Sequence, residues 1–183
     1  METAMESGGV LARELSLEEL VDAYGDSVLH LAYLYLKDRD LAEDIFQEVF
    51  TRVYLQRHRF RGESSIKTWI CRITINLCRD KLRSWAVRRV LVAGEELISL
   101  LVPPAPDVEE QVLVEADRAE LLAAIMELPV EYREVVLLYY YEELETVEVA
   151  AALGLSQGTV RSRLFRARAR LRAMLERGGT GGE

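Results

Sequence analysis

Apolar residues recur at helical spacing along most of the chain, and no stretch shows the strict alternation of a strand. Ser16 and Glu19 form a capping box, which predicts the start of a helix that runs toward Leu36. Lys37–Asp40 interrupts this helix, and a second one follows. The predicted apolar face of the second helix comprises Leu41, Ile45, Val49 and Val53.

A third helix is predicted after the loop at residues 61–65, where a serine can cap it, and it should reach about Trp85. Its core face comprises Ile66, Ile70, Ile73 and Leu77. After about Trp85 the helical spacing of apolar residues is lost. Pro103, Pro104 and Pro106 rule out a continuous helix, because proline lacks the amide and restricts its predecessor.

A second helical set follows, broken at Leu128–Pro129 and resumed from Glu131 to Tyr141. A short Ala-rich helix, Thr146–Leu153, then meets Gly154, and Ser156 can cap one more helix. This order of elements is typical of a helix-turn-helix, whose second helix enters a DNA major groove. The packing stripe of that second helix comprises Val160, Leu164, Ala167, Leu171 and Leu175.

The pattern therefore predicts an all-α chain of two small helical domains joined by a flexible linker, the C-terminal one a helix-turn-helix. The predicted boundaries are a flexible N-terminus at 1–14, a first domain at 15–88, a linker at 89–112, a second domain at 113–176 and a flexible tail at 177–183.

Charge is distributed in blocks along the 183 residues, although the chain as a whole is acidic, at −8. The net charge is −8 over residues 1–56, +8 over 57–89, −13 over 90–148 and +5 over 149–183. Two basic blocks that coincide with patterned helices indicate two separate contacts with nucleic acid. No apolar run approaches the ~20 residues that span a bilayer, and the N-terminus lacks signal-peptide features, so we expect a cytoplasmic protein without direct membrane insertion.

Cys71 and Cys78 are the two cysteines of the chain. On one helix they would lie ~10.5 Å apart along its axis, too far for a disulfide, which needs Cα atoms within roughly 7 Å. No histidine lies at zinc-ligand spacing. We expect two buried thiols, no metal and no cofactor, with redox sensing left as an alternative.

The third helix carries a second stripe of Arg72, Asn76, Arg79 and Arg83, with Trp69 one turn earlier. Guanidinium, amide and indole groups together can contact phosphates, read base edges and stack an unpaired base. The basic loop at 57–62 adds Phe60 and favours single-stranded DNA. From this helix alone, solvated arginines on an amphipathic helix explain the pattern equally well.

The last helix has six arginines and no acid between Ser156 and Ala173. Residues near the start of a recognition helix usually reach bases, which favours Arg161, Ser162, Phe165 and Arg166. Arg168, Arg170 and Arg172 are better placed for phosphates or solvent. The free amides at residues 156–159 can bind a phosphate.

Three segments resemble regions 2 and 4 of bacterial extracytoplasmic-function sigma factors of the sigma-70 family. They are Asp-Ile-Phe-Gln-Glu-Val-Phe at 44–50, the stretch at 60–70 and the stretch at 154–168. The resemblance covers about Leu15–Trp85 and Glu115–Leu175, in order and with a suitable linker. It implies that 15–88 is region 2, for polymerase docking and minus-ten recognition and melting. It likewise implies that 113–176 is region 4, which reads the minus-thirty-five element.

The resemblance also implies partners: the RNA polymerase core, through its β′ coiled coil and β flap, promoter DNA as duplex and as melted non-template strand, and an anti-sigma factor. Implied polymerase-binding residues are Asp44, Gln47, Glu48 and Phe50. Implied minus-ten residues are Phe60, Arg61, Ser64, Lys67, Trp69, Arg72, Asn76, Arg79 and Arg83. Implied minus-thirty-five residues are Ser156, Thr159, Arg161, Ser162, Arg163, Phe165 and Arg166. The linker would thread through the polymerase.

The sequence departs from the family at two points. Primary-type sigma factors have a richer aromatic cluster in the melting region, whereas Phe60 and Trp69 are the main aromatics here, so we expect stricter promoter choice. Residues 145–150 resemble the family's first turn-motif helix only loosely, which weakens the case for phosphate contacts from that helix.

Two other function classes compete with a sigma factor. A stand-alone helix-turn-helix regulator would bind free duplex tightly without polymerase, which a gel shift would detect. A metal-dependent nuclease needs clustered carboxylates beside bound phosphate. Asp44 and Glu48 are the nearest candidate pair, but no basic residue lies among them and no histidine supports them, so we expect no enzymatic activity.

Overall fold

The computed structural model describes the backbone of residues 15–92 and 114–178, and the side chains of 15–84 and 120–177. Within these ranges the regular structure is helical, which confirms the all-α prediction. The seven α-helices of the described ranges are α1 (Leu17–Leu36), α2 (Arg39–Gln56), α3 (Ile66–Val92), α4 (Val114–Glu127), α5 (Val130–Val136), α6 (Thr146–Leu153) and α7 (Gln157–Gly178). The predicted flexible ends at 1–14 and 179–183, and most of the predicted linker, lie outside the described residues.

Caps fix the ends of the first helices where the sequence predicts them. The Ser16 hydroxyl accepts the Glu19 amide at 3.1 Å, and the Glu19 carboxylate accepts the Ser16 amide at 2.7 Å. Helix α1 ends at Lys37, whose φ of 61° is left-handed. Asp38 then caps α2 by accepting the Leu41 amide at 2.9 Å. The two helices are therefore antiparallel neighbours joined by a tight turn.

Helix α3 begins where the loop serine predicts and ends later than predicted. The Ser65 hydroxyl accepts the Thr68 amide at 3.1 Å, which satisfies one of the free amides of the first turn. The helix continues past Trp85 to Val92 and so enters the range assigned to the linker. A short 3₁₀ turn at Arg57–Arg59 precedes the loop.

The helix predicted from Glu131 to Tyr141 has two parts. Helix α5 ends at Val136, and the wider π-helical turn Leu137–Tyr141 follows it. This turn closes when the Glu142 amide donates to the Leu137 carbonyl at 2.9 Å. A π turn inserts a residue into the helical register. Glu142, directly after it, is buried.

The helix-turn-helix has the predicted geometry. Gly154 ends α6 with a left-handed φ of 67°, and the Leu155 amide donates to the Ala150 carbonyl at 3.0 Å. The Ser156 hydroxyl accepts the Thr159 amide at 3.1 Å and caps α7. The predicted stripe of α7 faces inward at Val160, Leu164 and Ala167, which are fully buried, whereas Leu171 and Leu175 are half-buried.

The two helical sets share one apolar core. Helices α1, α2 and α3 pack on one another, and α6 packs along α3. Buried Ile75 and Cys78 of α3 belong to the same cluster as Leu138, Val149 and Leu153 of the second set. A smaller cluster around Leu128, Tyr132, Val136 and Ala167 joins α5 to α7. In this arrangement the two sets are in contact, which the sequence pattern did not predict.

Gly154 tests the backbone requirement of the turn. No atom lies within 4 Å of a Cβ added there, so Gly154→Ala should lose about 1–2 kcal/mol of unfolding free energy through the left-handed backbone alone. Gly154→Asn should lose less, because asparagine tolerates this conformation. Gly158→Ala is the matched control: it lies in helical backbone, where an added Cβ would meet only Ser156 Oγ at an ordinary contact distance of 3.8 Å, and it should be neutral or stabilising, by up to ~1 kcal/mol. Urea unfolding measures all three variants, and equal losses at both glycines would contradict the prediction.

Candidate nucleic-acid and polymerase interface

The loop before α3 and the first turns of α3 form an open groove. Its cavity of about 470 Å³ is lined by Arg59, Phe60, Arg61, Glu63, Ser64, Thr68, Trp69, Arg72 and Ala151. Five residues of the predicted minus-ten set therefore meet here: Phe60, Arg61, Ser64, Trp69 and Arg72. The groove combines three guanidinium groups, two hydroxyls and a partly exposed indole, which suits a nucleotide strand.

Phe60 does not occupy the exposed position that its predicted role requires. It is only 5% exposed, and its ring lies 5.1 Å from the Trp69 ring at 40°. The physical reason is that an apolar ring at the end of the 3₁₀ turn is more stable against the bundle than in water. Phe60 thus supports Trp69 from below, and Trp69 is the available stacking surface of this pair.

The stripe on α3 divides into exposed residues and residues that bind the second helical set. Arg72, Asn76 and Arg83 are exposed, with Arg83 3.6 Å from the Asp80 carboxylate on the same helix. Lys67 and Arg79 are half-buried and bind carboxylates from the second helical set. Along the predicted minus-ten stripe, exposed residues therefore alternate with residues that already bind carboxylates of the second helical set.

Glu134 of α5 binds groups from both sets. Nε and Nη2 of Arg79 donate to its Oε2 at 3.1 and 2.8 Å, and Nη1 of Arg163 donates to its Oε1 at 3.0 Å. The Tyr35 hydroxyl donates to Oε2 at 3.2 Å. Burial lowers the pKa of Arg79, but the Glu134 carboxylate outweighs it and leaves that pKa raised. Burial, followed by Glu134, raises the pKa of Tyr35.

Two further carboxylates follow the same pattern. Glu142 lies 3.4 Å from Lys67 Nζ and accepts the Ser27 hydroxyl at 2.7 Å. Glu148 accepts the hydroxyls of Thr68 at 2.9 Å and Ser65 at 3.2 Å. We call Glu134, Glu142 and Glu148 the interdomain carboxylates, since each comes from the second set and binds the first.

Sequence reasoning missed the interdomain carboxylates. A signal for two of them was present, because Glu134 and Glu142 flank the apolar and aromatic run at 135–141 and so occupy positions that favour burial. Glu148 gave no such signal. It accepts the Glu145 amide at 3.0 Å, and this local capping role already accounts for an acidic residue at that position.

A second exposed face lies at the start of α7. The face comprises Arg161, Ser162, Phe165 and Arg166, and Phe165 is 73% exposed. Ser156 and Thr159 bond each other at 2.8 Å beside the helix N-terminus. Arg163 departs from its predicted role, because it is half-buried against Glu134 and does not share the open face.

The later arginines of α7 are exposed, yet two of them contact tyrosine side chains. Nε of Arg168 donates to the Tyr140 hydroxyl at 2.7 Å, and the Arg170 guanidinium lies 5.1 Å from the centre of the Tyr132 ring. Both side chains are therefore engaged with aromatic groups of the fold. Arg172 is exposed, so it remains available for a phosphate contact, as predicted.

Helix α2 presents an acidic face. Asp44, Gln47 and Glu48 are exposed and line a groove of about 560 Å³ together with residues of α3. Asp44 lies 3.2 Å from Lys81, and Glu48 lies 2.9 Å from Arg52. Phe50 does not lie on the exposed face that its predicted polymerase-binding role requires. It is 5% exposed and packs in the core, with its ring 5.0 Å from that of Phe46. Its helical position, one turn after Phe46, turns it inward.

The cysteines lie on the inner face of α3, as predicted. Both are buried free thiols. Burial raises the pKa of Cys71, and it raises that of Cys78 to about 12. Over the described residues no cluster of His, Cys, Asp or Glu could hold a metal ion, and no helix is long and apolar enough to cross a membrane.

Known proteins match this architecture along both helical sets. The model for Sigma-70 region 2 matches residues 20–88, and that for Sigma-70, region 4 matches residues 118–171. The ECF RNA polymerase sigma factor SigM of Bacillus subtilis is 32% identical over 165 residues, which cover 90% of this chain and 98% of SigM. SigW of the same organism is 33% identical over 163 residues, covering 86% of this chain and 87% of SigW.

A further relative is longer than this chain. The probable RNA polymerase sigma factor RfaY of Xanthomonas campestris is 39% identical over 157 residues, which cover 84% of this chain and 38% of RfaY. Two solved structures share the fold. The sigma factor RpoE of Bartonella quintana, solved with the anti-sigma factor NepR, has a TM-score of 0.70 at 22% identity, covering 87% of this chain and 96% of that one. CnrH, solved with the cytosolic domain of CnrY, has a TM-score of 0.66 at 23% identity, covering 94% and 97%.

Two helical sets that match regions 2 and 4 define a protein of the sigma-70 class. Within that class the chain belongs to the extracytoplasmic-function family and is an RNA polymerase sigma factor.

The buried thiols generate a prediction about reactivity. With a pKa of about 12, Cys78 has roughly one thiolate per 10⁴ molecules at pH 8, and the thiolate is the reactive form. Ellman's reagent should therefore leave both cysteines of the native chain unmodified over minutes and react with two thiols per chain in denaturant. Rapid reaction of one thiol in the native chain would contradict this prediction and favour redox sensing.

Proposed function

We propose that this chain binds core RNA polymerase and directs it to promoters through separate minus-ten and minus-thirty-five contacts. It acts in the cytoplasm without catalytic activity of its own. The observation that carries the proposal is the presence of three distinct exposed faces on one chain. They are the acidic face of α2, the groove at the start of α3 and the open face of α7. A duplex-binding regulator would need only the last of these.

The groove at the start of α3 would hold the melted minus-ten strand. The Trp69 indole offers a surface on which an unpaired base can stack, and Phe60 fixes its position from below. Arg61 and Arg72 flank the groove and would neutralise phosphates. Exposed Asn76, one turn after Arg72, would read a base edge.

The start of α7 would read the minus-thirty-five element as duplex. Exposed Arg161 and Arg166 suit bidentate contacts to guanine, and Phe165 suits a thymine methyl group. The free amides of the first turn, beside Ser156 and Thr159, suit a backbone phosphate. Gly154 positions this helix, because its left-handed backbone sets the angle between α6 and α7.

The acidic face of α2 would dock on the β′ coiled coil, with region 4 meeting the β flap. Asp44, Gln47 and Glu48 project from consecutive turns, so a complementary basic helix can contact all three. An anti-sigma protein would regulate the chain by covering these faces. The RpoE structure with an anti-sigma factor supports this proposal by likeness of fold.

Reconstitution tests the proposed function. Core polymerase with this chain should give run-off transcripts from a subset of genomic fragments, and neither component alone should do so. Asp44→Lys combined with Glu48→Lys should abolish binding to core polymerase, because both substitutions place cations where the docking face is acidic. Glu18→Lys combined with Asp22→Lys, at two exposed positions of α1 that are also four residues apart, is the matched control and should bind normally. Tight binding of the free chain to duplex without polymerase would instead support a stand-alone regulator.

Arginines at the start and at the end of α7 should contribute differently to promoter binding in the polymerase complex. Arg161→Ala should cost about 1–3 kcal/mol of binding and relax the base preference at one minus-thirty-five position. Arg172→Ala should weaken binding to all sequences alike, since it lies on the later part of the helix. Competition between promoter variants measures both effects, and a uniform loss for Arg161→Ala would contradict base readout.

A further inference from the structure

We propose that Tyr140 and Tyr132 hold two arginines of α7, Arg168 and Arg170, in place to bind phosphates on the two opposite strands of the duplex. The two tyrosines are then positioning residues for DNA binding, and the two arginines are the groups that touch DNA. This inference rests on the proposed function, because it adds backbone contacts to the base readout proposed for the start of α7.

Each tyrosine restrains its arginine by a direct contact. Nε of Arg168 donates to the Tyr140 hydroxyl at 2.7 Å, and its guanidinium carbon lies 5.7 Å from the centre of the Tyr140 ring. The guanidinium carbon of Arg170 lies 5.1 Å from the centre of the Tyr132 ring. Tyr132 is 8% exposed and belongs to the small apolar cluster that joins α5 to α7, so its ring is a fixed support. Both arginines are therefore held although both are exposed.

The choice of partner leaves the positive charge of both arginines available. A carboxylate partner neutralises a guanidinium, as Glu134 does for Arg163 at 3.0 Å. A tyrosine holds the side chain through its hydroxyl or its ring and adds no negative charge. Among the described side chains, Arg168 and Arg170 form no ion pair with a carboxylate. The bond through Nε also leaves both terminal nitrogens of Arg168 to donate to a phosphate.

Helix geometry places the two arginines on opposite sides of α7. Successive residues of an α-helix are rotated by about 100°, so side chains two positions apart point about 200° apart. Ala169, between them, is exposed and carries no bulk that would keep the helix out of a groove. A helix about 10–12 Å across fills a major groove about 12 Å wide, so one phosphate strand runs on each side of it. Arg168 then faces one strand and Arg170 the other.

The Arg170 side of α7 is continuous with the residues proposed to read bases. Arg170 and Tyr132 line a groove of about 430 Å³ together with Phe165 and Arg166. The helix rises about 13.5 Å from Arg161 to Arg170, so the restrained arginines lie two to three turns beyond the first proposed base contact. Base contacts at the start of α7 and phosphate contacts further along can therefore be made by one helix in one groove.

Restraint in the free protein raises affinity because the arginine loses less freedom when it binds. A long side chain that must be immobilised at an interface weakens binding by an amount that corresponds to about two- to tenfold. Removal of one tyrosine contact should therefore weaken DNA binding by about two- to tenfold. The number of phosphate contacts should stay the same, because the arginine itself is still present.

Binding of a mixed-sequence duplex to the full chain at low salt tests the two tyrosines, because phosphate contacts do not depend on sequence. Tyr140→Phe should weaken binding about two- to tenfold and leave the salt dependence unchanged. Arg168→Ala should also reduce the slope of log affinity against log salt by about one. Fluorescence anisotropy over a salt series measures both. The matched control is Tyr141→Phe, whose exposed ring lies 6.3 Å from that of His30, and it should bind as wild type does.

Combined variants separate positioning from a general effect on the fold. Tyr140→Phe should have no further effect in the Arg168→Ala background, and a loss that persists there would overturn the proposal. Tyr132→Leu removes the ring under Arg170 and should weaken binding about two- to tenfold, whereas Tyr132→Phe keeps the ring and should restore the affinity. If Tyr132→Leu fails to fold, the Tyr140 cycle decides the outcome, since phenylalanine preserves the packing of that ring.

Neutral phosphates test the assignment of the strands. Methylphosphonates are placed singly along each strand of a promoter found by run-off transcription, and binding of polymerase carrying this chain is measured. Arg168→Ala should abolish the sensitivity to neutralisation on one strand, and Arg170→Ala that on the other. Loss on the same strand for both variants would overturn the proposal. If wild type supports no transcription, the proposed function fails and the anisotropy series still tests the tyrosines. If wild type transcribes but Tyr140→Phe binds duplex as wild type does, this inference fails alone.

Discussion

The organisation of this chain depends on the buried carboxylate of Glu134. An ionised carboxylate taken out of water costs several kcal/mol unless charges and hydrogen bonds compensate it. Arg79, Arg163 and the Tyr35 hydroxyl supply that compensation, and two of the three belong to the first helical set. Glu134 is therefore fully compensated only when the two sets are together, which ties the stability of one region to the position of the other.

The shared apolar core strengthens the same constraint. Leu138, Val149 and Leu153 are buried in one cluster with residues of α3, so separating the two sets would expose them to water. If the two sets separate, another protein must cover this apolar surface. The polymerase and an anti-sigma protein are the partners that the proposed function provides, so the free energy of the contact between the sets bears on regulation.

Local structure could be predicted from the sequence because it depends on near neighbours. The capping box at Ser16, the left-handed Gly154 and the cap at Ser156 are set by residues a few positions apart, and each forms as predicted. The contact between the sets could not be predicted, because Glu134 and Arg79 lie 55 positions apart and periodicity does not reveal pairing across a linker. The same limit explains why the burial of Phe50 and Phe60 was not predicted. The residue type shows that a ring is apolar, but it does not show which neighbours bury it.

The coupling free energy between Glu134 and Arg79 tests the central claim most directly. A double-mutant cycle of Glu134→Gln and Arg79→Gln, measured by urea unfolding of the full chain, isolates that term. The account predicts a favourable coupling of about 1–3 kcal/mol between the two residues. A coupling near zero would mean that the carboxylate does not hold the two regions together in solution and would contradict the account.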